Sequence, residues 1–454
     1  MDCLFSGKQQ IRIDPSADTA LLADLFRNYT GRTCEAEFLP GDPRTAVCGQ
    51  APLPALGEND EYVLQIAPTG FCVIGQDRVG MIRGLLALFL RIRPQKTGFA
   101  LSAETVHGAF SVSVRMAHLC VFPENTFPEI RKWVRAFGML QYTHLIVEFW
   151  GTFPFESFPE YGWAEYAFSK PQVRTLVREG KALGMEMIPM LNVLGHASGC
   201  RLRSGKHAVL NRHPEYAYLF SPDGWAWNFT DPEVCGRLAQ MRSELYDVFD
   251  DPRCFHLGLD EAYIYRRGYV SAEAVADYFG KAVREILDEG KTPLLWADML
   301  IPKSALQTVG EVHSCAQEDK TAQRMLDALP KEAILCDWEY EARQAPVEPS
   351  VYLKEHGFRV VGCSWYKTGN IAAYVETAKT APLFGAMLTT WHTLSANARS
   401  LLQFACLCGL PKTDWWQYAP ERSIMAAILR GVMPVDAVYA DFGFAATQIQ
   451  PMLD

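Results

Sequence analysis

From Val112 onward the chain alternates short apolar runs with longer segments whose apolar residues recur every three or four positions. Eight runs can be counted, at residues 116–122, 144–149, 186–191, 255–259, 293–296, 333–337, 360–364 and 386–390. Near-continuous apolar runs of this length suit strands covered on both faces, which belong to parallel sheets. Parallel neighbours need a crossover of a dozen or more residues, usually a helix. The intervening text supplies it: Ile130, Trp133, Val134 and Phe137, then Val234, Leu238, Met241 and Leu245, then Val275, Phe279, Ala282 and Ile286, each mark one helix face. Eight strand–helix units predict an α/β fold closed as a (β/α)8 TIM barrel. An open doubly wound sheet fits the same alternation, but no Gly-x-Gly-x-x-Gly follows the first run to bind a dinucleotide.

The chain has 454 residues, well beyond the roughly 250 of a bare barrel, so an appended unit is expected. Before Val112 the pattern differs. Leu21, Leu22, Leu25 and Phe26 form one helical stripe, residues 62–66 and 71–74 flank Pro68-Thr69-Gly70 as a hairpin, and residues 80–92 read as a Leu-rich helix. The expected division is a small α/β domain over residues 1–105 and a catalytic barrel with C-terminal helices over residues 106–454. Pro411, Pro420 and Pro434 would break the last helices.

In a barrel the catalytic side chains stand at the C-terminal ends of the strands. The fourth run ends there in Asp260-Glu261, two adjacent carboxylates. In a cleft one of such a pair holds its proton more tightly, as an acid catalyst requires. Side chains alternate along a strand, so His256, Gly258 and Asp260 would share one face and Glu261 the other. Both carboxylates reach one cleft only if regular strand geometry stops at about Asp260. Trp296, Trp338, Trp365 and Trp391 each stand at or just past the end of a late strand, joined by Tyr340 and Tyr366. Flat rings with polar tips suit the C–H faces of a sugar.

Composition narrows the partners. A net charge of -9 without basic runs argues against nucleic acid or an anionic membrane. No stretch approaches the roughly 20 apolar residues of a membrane span, and residues 1–5 lack the basic and apolar regions of a signal peptide. A soluble, cytoplasmic protein is expected. The thirteen cysteines are scattered through apolar stretches, as buried reduced thiols are, and no Cys-x-x-Cys pair occurs. Cys406 and Cys408 share a helical stretch without histidine partners, so no metal or other cofactor is expected.

The pattern His256-Leu257-Gly258-Leu259-Asp260-Glu261 resembles the His-x-Gly-x-Asp-Glu signature of the β-N-acetylhexosaminidases of glycoside hydrolase family 20. Residues 187–196, Met-Ile-Pro-Met-Leu-Asn-Val-Leu-Gly-His, resemble that family's Ile-Pro-Glu-Ile-Asp-x-Pro-Gly-His, with Met190 and Leu194 in place of an acid and a proline. The order of segments over residues 61–88 is similar to the small domain preceding its barrel. The resemblance implies an exo-acting enzyme in which the substrate's own acetamido oxygen is the nucleophile. Glu261 would be the general acid and then the base, Asp260 the acceptor of the acetamido N–H, and His196 a contact of the acid. Arg115 would match the arginine that holds hydroxyls of the terminal sugar. Glu148 would replace the missing acid of the family's second strand, and Asp337, Trp338, Tyr340, Trp365 and Tyr366 would supply the acetamido pocket. The implied partner is an oligosaccharide or glycoconjugate with a terminal N-acetylhexosamine. Two other readings stay open: a glycosidase pairing Glu261 with Glu148 or Asp337, and a sugar-binding barrel without turnover.

Overall fold

The computed structural model of the protein describes residues 2–198, 209–306, 314–316 and 318–434. The chain first forms nine strands: β1 (Asp2–Phe5), β2 (Gly7–Ile13), β3 (Cys34–Pro40), β4 (Thr45–Gly49), β5 (Tyr62–Ala67), β6 (Gly70–Gly75), β7 (Arg93–Gln95), β8 (Gly98–Ser102) and β9 (Glu104–His107). They make a six-stranded sheet in the order β3-β2-β4-β6-β5-β9 and a three-stranded sheet β1-β8-β7. The hairpin read around Pro68-Thr69-Gly70 is β5–β6. Helices Thr19–Tyr29 and Arg78–Phe89 bury Leu21, Leu22, Leu25 and Phe26, and Met81 to Phe89, respectively. This first sheet runs to His107, and the barrel begins at Arg115.

Eight strands close the barrel in chain order: β10 (Arg115–Val121), β11 (His144–Phe149), β12 (Glu186–Met190), β13 (Cys254–His256), β14 (Thr292–Trp296), β15 (Ile334–Asp337), β16 (Arg359–Ser364) and β17 (Gly385–Thr389). All eight pairings are parallel, and β17 returns to β10 with Ala386 opposite Arg115. Met116, Ile146, Ile188, Leu294, Ile334, Val361 and Met387 point inward and fill the barrel. Alternate residues such as Ala117, Leu145, Met187, Leu295 and Leu335 join the larger core under the helices. The outer helices start where capping residues stop competing backbone conformations: Ser271 Oγ accepts the Ala274 N–H, and Ser169 with Gln172 forms a reciprocal capping box. Helix Ala272–Asp288 then lays Val275, Phe279, Val283 and Ile286 on the sheet, each fully buried. Burial of such side chains contributes about 1.5–3 kcal/mol apiece.

The shortest barrel strand is β13, only three residues long, and it positions the site. Its ladder stops because the chain turns into the left-handed region at Gly258 (φ 69°) and Leu259 (φ 70°), which no strand can hold. Glycine is required at 258 for a second reason. A Cβ there would lie 1.8 Å from Asn192 Oδ1.

The two domains are joined by charged groups at the barrel's N-terminal end. Arg115, 1% exposed, donates from Nη1 and Nη2 to the two Glu61 carboxylate oxygens at 2.9 and 3.1 Å. Its remaining donors meet the carbonyls of Gln141, Val112 and Ser113. Arg83 reaches the same glutamate at 2.6 Å. Arg115 is therefore a domain-joining residue, and the sugar-binding role expected of it does not fit. It stands at the first residue of β10, about one strand length from the rim. Among the described residues, no helix is long and apolar enough to cross a membrane.

Candidate active site

The loop after β12 and the residues after β13 run side by side past the end of the sheet. Leu191 N–H donates to the His256 carbonyl, and Val193 N–H donates to that of Leu257, both at 3.1 Å. This brings His196, itself left-handed at φ 57°, beside the carboxylates. Its Nε2 lies 3.2 Å from Asp260 Oδ2 and 3.0 Å from Glu261 Oε2. Both carboxyl groups thus open to one place, as expected, although the strand ends at His256, earlier than the stop at about Asp260 that was expected. Glu261 avoids the opposite face by adopting φ 47°. A non-glycine residue held there costs of order 1–3 kcal/mol.

Glu261 is gripped on all sides. Its carbonyl accepts Trp225 Nε1–H at 2.8 Å, its Oε1 accepts the Tyr263 hydroxyl at 2.9 Å, and its N–H donates to Asp298 Oδ2 at 2.9 Å. Trp225 also packs on His196, ring centroids 4.5 Å apart. Burial alone would push the Glu261 carboxyl up. The His196 ring and the Tyr263 hydroxyl outweigh it, against the charge of Asp260, and hold Glu261 below the usual glutamate range. The carboxyl whose surroundings favour a retained proton is instead Asp298, pushed up to about 7 by burial and then by Asp260. Of Asp260 and Glu261, at least the latter does not keep the proton by itself.

The aromatic residues form a wall and a floor. Trp296 is fully buried and fills the top of the barrel interior, against His256 at 4.7 Å and His118 at 5.3 Å between ring centroids. Trp391, half-buried, lies over it at 5.7 Å. The Trp391 Nε1–H donates to the Tyr340 hydroxyl at 2.9 Å, and Tyr340 packs between Trp338 and Trp365 at 5.2 and 5.4 Å. Trp338 in turn donates to Asp298 Oδ1 at 3.3 Å. Trp338, Tyr340, Trp365 and Trp391 are thus one connected wall running to the carboxyl cluster. Tyr366, exposed, touches Trp365 at the rim.

Set against solved structures, this arrangement has clear counterparts. No protein-family model and no curated protein matches the chain. The β-N-acetylhexosaminidase of Bacteroides fragilis superposes with a TM-score of 0.64 over 98% of this chain and 94% of the other, at 14% identity. The family 20 β-N-acetylhexosaminidase of Streptomyces coelicolor gives 0.63 over 94% of each chain at 15% identity. The family 20 exo-β-N-acetylglucosaminidase of Vibrio harveyi, solved with N-acetylglucosamine, gives 0.61 over 97% and 75% at 12% identity. The chain has the family 20 hexosaminidase fold.

Within that fold the expected residues separate. Asp260, Glu261 and His196 meet, with Trp338, Tyr340, Trp365 and Trp391 nearby; Trp296 is floor and offers no open face. Asp337 is a correction. Its Oδ2 accepts the Ser350 hydroxyl at 2.5 Å and the Tyr374 hydroxyl at 3.3 Å, from helices Glu348–Glu355 and Thr368–Thr380, so it faces the outer layer. Burial there pushes it up to about 6. Glu148 is on the floor, 2% exposed, with Oε1 accepting Asn192 Nδ2–H at 2.6 Å and Oε2 at 3.0 Å from His118 Nε2.

His118, Cys120 and Glu148 bring possible metal-ligand atoms within 4.8 Å of one another. The Cys120 sulfur lies 3.7 and 3.9 Å from the two His118 ring nitrogens, beside the ring rather than in line with either lone pair. With both Glu148 oxygens already in hydrogen bonds, the cluster reads as a polar network in the barrel floor rather than a set of ligands aimed at one ion. The residues missed from sequence are Asp298, Trp225, Tyr263, His118 and Asn192. Asp298 could have been found: it follows β14 by two residues, the kind of position that Asp260 and Trp338 occupy on their own strands.

Proposed function

We propose that the protein is an exo-acting β-N-acetylhexosaminidase that releases terminal β-linked N-acetylglucosamine or N-acetylgalactosamine by substrate-assisted hydrolysis with retention. The observation that carries this reading is the meeting of Asp260 and Glu261 on the single Nε2 of His196, at the C-terminal end of a barrel with the family 20 fold. The aromatic wall beside them supports a pyranose ring as ligand, and the Vibrio harveyi relative holds N-acetylglucosamine.

The chemistry follows from the two carboxyl groups. Glu261 gives its proton to the glycosidic oxygen as the C1–O bond breaks, and the acetamido oxygen of the same sugar closes on C1 to form an oxazolinium ion. Asp260 accepts the acetamido N–H, aims that oxygen and offsets the positive charge that develops. Water then attacks C1 from the vacated side, its proton passing to Glu261, and the ring opens to the N-acetyl sugar with retained configuration. Such proton transfer contributes roughly 10²–10⁴-fold.

A protein nucleophile is less well supported. Asp337 faces the helices, and Glu148 is held in the floor by His118 and Asn192. A panel of aryl β-glycosides differing only at C2 and C4 tests the reading. Turnover confined to 2-acetamido sugars is expected. Equal turnover of the 2-hydroxy glycosides would contradict it, and no turnover of any member would favour a binding protein.

A further inference from the structure

We propose, on the assignment of Glu261 as the acid, that Asp298 is a positioning residue: its carboxyl fixes the left-handed turn presenting Asp260 and Glu261 and ties that turn to the aromatic wall. The turn is the reason a clamp is needed. Gly258, Leu259 and Glu261 all lie at positive φ, and the Glu261 N–H has no strand partner left to bond. Asp298 Oδ2 takes that N–H at 2.9 Å, and Oδ1 takes Trp338 Nε1–H at 3.3 Å. One carboxyl thus ties the acid to the aromatic wall. It sits on the short turn Asp298–Leu300 that follows β14, and it is 1% exposed.

Charge balance adds to this, by favouring a proton on Asp298. His196 is shared by Asp260 and Glu261, whereas the partners of Asp298, the Glu261 and Trp338 N–H groups and the Cys315 side chain, are neutral; the bonds from Glu261 and Cys315 favour its charged form, and burial with the charge of Asp260 outweighs them. A third buried negative charge beside two others is unfavourable. The titratable groups around it are Asp260, Glu261 and Tyr263 after β13, His196 after β12, and Cys315 on residues 314–316, whose N–H donates to the Asp298 carbonyl. Asp319, on helix Asp319–Ala328 packed against the same turn, is engaged by the Lys303 and Ser304 N–H groups. Burial and Asp260 together push Asp298 up to about 7.

Two measurements on the full chain test this. The first is kinetic. Asp298→Ala should lower kcat at least 100-fold on an alkyl β-N-acetylglucosaminide, whose departure needs the acid, and far less on an activated aryl glycoside, with KM changed less than threefold. Asp298→Asn, which keeps the oxygen for the Glu261 N–H, should recover about tenfold of that loss. Equal losses on both leaving groups, or a loss in KM alone, would overturn the positioning role. The second needs no turnover. A carboxyl whose folded pKa exceeds its unfolded one binds more protons folded, so its contribution to stability falls as pH rises between the two values. The melting temperature of Asp298→Asn should therefore gain on wild type from pH 4 to pH 7. A constant or shrinking gap would overturn the retained proton. If wild type turned over no N-acetylhexosaminide, the assigned activity would fall while the melting comparison still decided the state of Asp298.

Discussion

His196 Nε2 is shared between two carboxylates that are adjacent in the chain, and this fixes how acidic Glu261 is before substrate arrives. The Tyr263 hydroxyl adds to the effect, since it donates to Glu261 Oε1 and stabilises only the charged form. With Glu261 as the proposed acid, the free protein carries that proton only on the acidic side, and kcat/KM should fall as pH rises through the titration of Glu261. Tyr263→Phe removes one donor from the anion, so the descending limb of kcat/KM should move to higher pH. A pH profile of the variant against wild type, with an alkyl glycoside, checks the sign. A limb that stays in place or moves down would show that the hydroxyl does not act on Glu261. The site residues differed in how far sequence could place them. Asp260 and Glu261 were legible because they are adjacent and end an apolar run. Asp337 was not, because the alternation applied to residues 256–261 also applies to Asp337-Trp338. The two neighbours take opposite faces, and the inner one is the tryptophan.

At the level of elements, β13 does the most with the least. Its three residues leave the sheet early, and the left-handed turn that follows lets two consecutive side chains face one cleft. Gly258→Ala would put a methyl group 1.8 Å from Asn192 Oδ1 at a φ of 69°. A loss of about 2–4 kcal/mol in stability is expected from strain and overlap together, with activity falling in the fraction that folds. Thermal melting and kcat on an aryl glycoside measure both; a neutral result would mean the turn can relax. All eight barrel strands were legible within a residue or two, except that the fourth run was read to residue 259. Apolar content predicts burial, and Leu257 and Leu259 are indeed buried. Pairing is decided by backbone dihedrals, and Leu259 gives no sequence signal of a positive φ.

For the whole molecule, the small domain is fastened to the barrel by Glu61, Arg83 and Arg115, with Arg135 bridging Asp24, Glu179 and the Val432 carbonyl. Glu61 is held below the usual glutamate range by the two arginines, against burial. Arg115→Met leaves that glutamate with one partner. A cost of about 2–4 kcal/mol is expected, less than for a fully sealed pair because Glu61 retains some exposure. KM of the folded variant should not change, since Arg115 is at the far end of β10. A large rise in KM with intact stability would return it to the sugar site. The two-domain plan was legible from length and from the change of pattern near Val112. The end of the barrel on which Arg115 sits was not, because β10 starts at that residue and the strand's other end, Val121, lies six residues later, roughly 20 Å away.

On the proposed function, the atom attacking C1 belongs to the substrate. Successive fluorination of the N-acetyl group of one aryl β-N-acetylglucosaminide weakens that oxygen as a nucleophile with little change in size. The wild-type rate should fall steeply from acetyl through fluoroacetyl and difluoroacetyl to trifluoroacetyl. A rate indifferent to fluorination, with bond cleavage shown to be rate-limiting, would place the nucleophile on the protein or on water and contradict the role given to Asp260.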